Sequence, residues 1–256
     1  RFSEYLLVTV AVTISRRAPV MMVEQRGATG TLKGVRMMIV SAAGKPNLKG
    51  TSRFAYAAGA TGILANLFFI ILYVLLGLQA NQPGGGTSLG PAGELAGSAS
   101  DLLGSLSAAF MIPVALALGR RLPRRRAVRF AQAAARAAMA LLSAGGPLLV
   151  LGVLAFEVET PIAMGAYVIL ILWLLLVNRW LRLSGTIGLR VARFGEFLGA
   201  GALAGYVVVG LGLLLPWMSW PQLVVFGFGV LVGLPAYLSV PVWFVLLGRH
   251  LGMSAG

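Results

Sequence analysis

The sequence predicts an all-α, polytopic integral membrane protein with six transmembrane helices and both termini on the cytoplasmic side. Three observations carry this expectation. Of 256 residues, 58% are hydrophobic and 11% charged, and mean hydropathy is +0.88, which leaves too little polar surface for a soluble domain of this length. The apolar residues gather into runs long enough to cross a hydrocarbon core of about 30 Å. Between two of these runs, Gly119 to Arg129 holds Arg120, Arg121, Arg124, Arg125, Arg126 and Arg129. Arginine is costly in hydrocarbon and short arginine-rich loops stay on the cytoplasmic side, so this loop fixes the orientation of its neighbours.

Residues 1–52 read as a basic, loosely ordered tail lying on the inner face. Val8 to Ile14 and Val35 to Ser41 have strand-like composition. Tyr5 to Ile14 is too short to span, and Arg16 and Arg17 follow it where a signal peptide needs small residues. The chain opens on Arg1, with Met21, Met22, Met37 and Met38 as alternative starts.

Residues 53–250 form the expected membrane domain. The first span is 54–78, with Asn66 at its midpoint. An irregular outer loop over 80–99 follows, because Pro83-Gly84-Gly85-Gly86, Gly90-Pro91, Gly93 and Gly97 disfavour regular structure. The second span is 101–118, with Ser100 as its cap and Asp101 against the helix dipole. The third, 137–156, is interrupted by Gly145-Gly146-Pro147, and its alanine-rich approach from Val128 is helical before it enters the bilayer. Glu157 to Thr160 is expected as a short acidic outer turn, with Pro161 opening the fourth span, 161–177. Arg179, Arg182, Arg190 and Arg193 mark the second inner loop. The fifth and sixth spans are 194–217 and 220–247, the latter carrying Gly233, Pro235 and Pro241. In this layout all 21 Lys and Arg residues fall on one side, and Glu94, Asp101, Glu157 and Glu159 on the other. A different span count would scatter the basic residues.

Composition also excludes chemistry. Cysteine is absent and His250 is the single histidine, so disulfides, Cys/His zinc sites, bis-histidine haem and His-based nucleophilic dyads are out of reach. The three lysines, Lys33, Lys45 and Lys49, all precede the first span and cannot serve a buried Schiff base. No phosphate-binding loop, zinc-protease or nucleophile-elbow pattern occurs, and no cofactor or metal is expected. The net charge of +14 reads as loop charge facing an anionic inner leaflet. Anionic lipid is therefore the expected partner of the six arginines, and nucleic acid is not.

Asn66 is a polar side chain near the bilayer midplane, able to bind a solute or simply to bond a neighbouring helix. Gly145, Gly146 and Pro147 in span 3, and Gly233 and Pro235 in span 6, interrupt corresponding members of two three-span halves. Such breaks free backbone carbonyls and let a ligand approach, as at the midplane sites of transporters. A binding site shared by spans 3 and 6 is the expectation. Gly201, Gly205, Gly229 and Gly233 offer small-residue surfaces for a packing partner or a second copy of the chain. Asp101 and Glu196 are placed near span ends, within reach of water.

The sequence thus points to a non-enzymatic small-solute permease or accessory subunit of a cytoplasmic membrane. The Ala/Arg/Gly bias is similar to that of chains from high-GC bacteria. The alternative is a lipid-modifying membrane enzyme, which requires Asp101, Glu94, Glu157 or Glu159 to converge with Ser or Tyr at one interface.

Overall fold

The computed structural model describes residues 48–80, 90–123, 125–216 and 219–253. The tail over 1–47, with its two short β-prone runs, lies outside them, as does Arg124. Seven helices are present among the described residues: α1 (Leu48–Ala80), α2 (Gly90–Gly119), α3 (Arg126–Val150), α4 (Phe156–Leu183), α5 (Leu189–Gly212), α6 (Trp220–Leu238) and α7 (Val240–Met253). Taken as one segment, α6 and α7 complete a set of six that are long and apolar enough to cross a bilayer.

Consecutive helices pack on one another from α1 to α5, and α7 returns to α1 while also touching α5. α6 packs on α5 and meets α7 at their junction. The chain therefore reverses direction at every connection except that between α6 and α7. This collects the starts of α1, α3 and α5 and the ends of α2, α4 and α7 at one pole, together with their arginines. The Ser52 hydroxyl donates to the Gly248 carbonyl at 2.7 Å, fixing the beginning and end of the bundle side by side.

Short connections have local causes. Gly152 and Gly185 hold φ of +67° and +64°, a region that disfavours side chains, and they reverse the chain just after α3 and α4. Ser219 caps α6 by accepting from the Gln222 amide at 3.3 Å, with proline in the first turn. Ser239 separates α6 from α7. Pro241, two residues later, cannot donate to the Tyr237 carbonyl, and the chain resumes its helix with Trp243 N–H bonding the Ser239 carbonyl at 3.2 Å.

Several boundaries differ from the sequence expectation. α1 begins at Leu48, so Leu48 to Ser52 is helical and not part of a loose tail. Gly90 to Ser100 is the first part of α2, not loop. The glycines there are tolerated because Gly93 and Ala96 are buried against neighbours. Ser100 is consequently no cap; its hydroxyl donates to the Ala65 carbonyl of α1 at 3.2 Å. Glu157 to Thr160 belongs to the first turns of α4, leaving Pro161 inside the helix. The fifth span ends at Gly212, and the sixth is two helices.

The interior is asymmetric along the bundle axis. The largest fully buried side chains, including Trp173, Trp243, Phe244, Leu118, Met139 and Leu174, lie in the half nearer the arginines. Buried positions of the other half are mostly small: Ala65, Gly93, Ala96, Gly146, Gly205, Gly229 and Ala236. Buried polar groups tie the filled half together. Gln132 of α3, with its amide oriented to satisfy both ends, donates to the Ala115 carbonyl of α2 and accepts from Trp173 Nε1 of α4, each at 3.2 Å. Trp243 Nε1 donates to the Val191 carbonyl of α5 at 3.2 Å.

Candidate functional site

The sequence-predicted residues fall into two separate places. Gly145, Gly146 and Pro147 lie on α3, which packs on α2 and α4, whereas Gly233 and Pro235 lie on α6, which packs on α5. The two breaks are not brought together. Gly146 presses on the Asp101 carbonyl and the Ser105 side chain of α2. Ser105 Oγ donates to the Leu142 carbonyl at 2.9 Å and accepts from the Gly146 amide at 3.1 Å. It thus bridges the Leu142 carbonyl and the Gly146 amide, which lie one turn apart on α3.

Gly233 packs against the Gly205 backbone, Gly229 against Val209 and the Gly205 carbonyl, and Gly201 against the Ala236 methyl. These four glycines bring α5 and α6 together inside one chain. The surface expected for a second copy is already occupied, because removing side chains from both helices lets their backbones touch.

Asn66 reaches neither proline break in α3 nor Gly233. Its Nδ2 donates to the Leu238 carbonyl at 3.0 Å. Leu238 ends α6, and the last carbonyls of any helix lack intrahelical donors. Glu196, expected near water, is partly exposed and is also paired with Arg182 across α4 and α5 at 2.7 Å.

A different group of polar residues converges in the lightly filled half. Because α2 starts at Gly90, Asp101 lies about 16 Å along that helix and not at its end. Asp101 and Glu159 of α4 border the same bare stretch of α3, the Asp101 carbonyl lying against Gly146 and the Glu159 carboxylate over Gly145. A Cβ on Gly145 would stand 3.2 Å from Glu159 Oε1, so the carboxylate lies over this bare stretch of α3. Below the pair, Tyr167 of α4 meets Tyr237 of α6 edge-on, with ring centroids 5.4 Å apart. Tyr206 of α5 is packed, like Tyr167, against the buried core. These tyrosines sit about 18–20 Å along their helices from Arg179, Arg193 and Arg249, near mid-bilayer depth.

Sequence reasoning missed Ser105, Glu159 as the partner of Asp101, and the three tyrosines. One signal was available: Tyr167, Tyr206 and Tyr237 are mid-span, away from the interfacial belts where tyrosine normally rests its hydroxyl. Their convergence was not legible, because it joins three helices far apart in sequence.

At the arginine pole, two grooves open. One, about 350 Å³, lies where Arg120, Arg129 and Arg136 surround Leu116, Leu122 and Val128. The other, about 520 Å³, lies between α5 and α7. No protein-family model, curated protein or solved structure matches the chain, so its chemistry is read from these residues alone.

Proposed function

We propose that this polytopic membrane protein is a small-solute permease of a bacterial cytoplasmic membrane, with its arginine pole facing the cytoplasm. Asp101 and Glu159 would bind the proton or small cation that drives uptake. The observation that carries this reading is the position of the two carboxylates: Asp101 about 16 Å along α2 and Glu159 in the first turn of α4, both bordering the Gly145–Gly146 stretch of α3. Ionisable groups in such places mark ion or substrate pathways. Among the described residues no Lys or Arg lies in this half to neutralise the two carboxylates. The positive-inside rule sets the orientation, and anionic lipid is the partner proposed for the arginine loop.

The test is solute-evoked current in proteoliposomes on a supported membrane, applying a panel of small solutes. At least one solute should displace charge in the wild type, and Asp101→Asn/Glu159→Gln should abolish it while eluting as folded protein. A current unchanged in that double variant would overturn the reading.

A second reading is favoured by Asp101, Ser105 and Glu159 all bordering the Gly145–Gly146 stretch of α3, since convergence of acids with a serine is the condition for a lipid-modifying enzyme. It predicts a new lipid species on incubation with phospholipid vesicles, seen by mass spectrometry and lost in Asp101→Asn.

A further inference from the structure

The groove between α5 and α7 has a chemistry of its own. Its walls are Arg190, Val191 and Phe194 from the start of α5, and Leu246, Arg249, His250 and Met253 from the end of α7. On each helix these residues recur at three- and four-residue spacing and so share one face. Two bonds frame the groove. Trp243 Nε1 holds the Val191 carbonyl at 3.2 Å at its deep end. The Gly188 amide donates to His250 Nε2 at 3.1 Å near its mouth. The walls are therefore fixed relative to one another.

Arg190 and Arg249 are both exposed. Among the described residues the ion pair is Arg182–Glu196, and no carboxylate partners either groove arginine. Going inward by helical rise, Phe194 lies about 6 Å beyond Arg190 and Leu246 about 4–5 Å beyond Arg249. Two cationic forks thus stand at headgroup depth, with an apolar channel continuing below them into the bilayer.

We infer that this groove binds one phospholipid with a net negative headgroup, its phosphate between Arg190 and Arg249 and an acyl chain along Phe194 and Leu246. Guanidinium forks match phosphate oxygens in pairs. A basic groove between membrane helices at the cytoplasmic side suits an anionic headgroup. A free phosphate would use the arginines but leave the apolar walls empty, and a zwitterionic lipid would bring a second positive charge to them. The site is independent of the carboxylate pair and of any transport activity.

The test is native mass spectrometry of the full chain in neutral detergent, titrated with phosphatidylglycerol or phosphatidylcholine. Phosphatidylglycerol should form a saturable single adduct in preference to phosphatidylcholine. Arg190→Gln/Arg249→Gln should weaken that adduct on the order of thirtyfold, about fivefold for each arginine. Arg193→Gln, which removes the same single charge as Arg190→Gln from the same turn without touching the groove, should leave it unchanged. Phe194→Ala should weaken it with no change of charge. Each single glutamine variant gives the same test if the double variant is poorly folded. Equal loss in Arg193→Gln would show a diffuse surface charge, and displacement of the adduct by millimolar inorganic phosphate would show a soluble-anion site. Either result, or binding unaffected in the arginine variants, overturns the proposal.

Discussion

Asn66 and Gln132 illustrate what a buried amide does in a bundle of this kind. Each spends its hydrogen bonds on backbone or indole groups of other helices, joining elements that would otherwise meet only through apolar contact. Interhelical bonds in membranes contribute modestly, because the unfolded chain in lipid also finds partners. Asn66→Ala should therefore lower stability in detergent by about 1 kcal/mol, read as a small drop in the thermal midpoint. A loss several times larger would mean that Asn66 holds more than the Leu238 carbonyl.

At the scale of helices, glycine position decides the outcome of substitution. A Cβ on Gly205 would collide with the backbone of Gly233, whereas one on Gly227, in the same pair of helices, meets nothing within 4 Å. Gly205→Val should destabilise by about 3 kcal/mol, the upper part of the range for overpacking, because backbone and not a flexible side chain must move. Gly227→Ala should be neutral or stabilising by up to ~1 kcal/mol, since alanine favours the helix. Thermal unfolding of the two variants side by side checks the opposite signs. Equal destabilisation would argue against close packing of α5 on α6 through these glycines.

For the whole molecule, topology is the property most open to test, and the absence of cysteine makes a clean background. Single replacements Thr160→Cys and Ser219→Cys should react with a membrane-impermeant maleimide added to intact cells. Ala127→Cys should react only after the membrane is opened. Labelling of the Ala127 variant from outside would reverse the proposed orientation. Reaction at Thr160 and Ser219 but not Ala127 places the acidic pair on the outer side, where a solute would first meet it.

Membrane character, six spans and the collection of basic residues at one pole were legible in the chain itself. Each rests on hydropathy summed over some twenty residues or on charge counted between spans, and neither needs knowledge of which helices touch. Helix ends were less legible. Glycine and proline over 90–99 signal a loop in isolation, and their helical state depends on packing against α1. Pairings between distant helices were not legible at all. Asp101 with Glu159, Tyr167 with Tyr237, and Asn66 with Leu238 each depend on which faces of the helices turn inward. In lipid, apolar residues can face either way at similar free energy, so hydrophobic periodicity carries little of that information. The facing is decided by small residues and a few polar bonds, such as Gly205 on Gly233 and Ser105 between Leu142 and Gly146, whose partners exist only once the helices have come together.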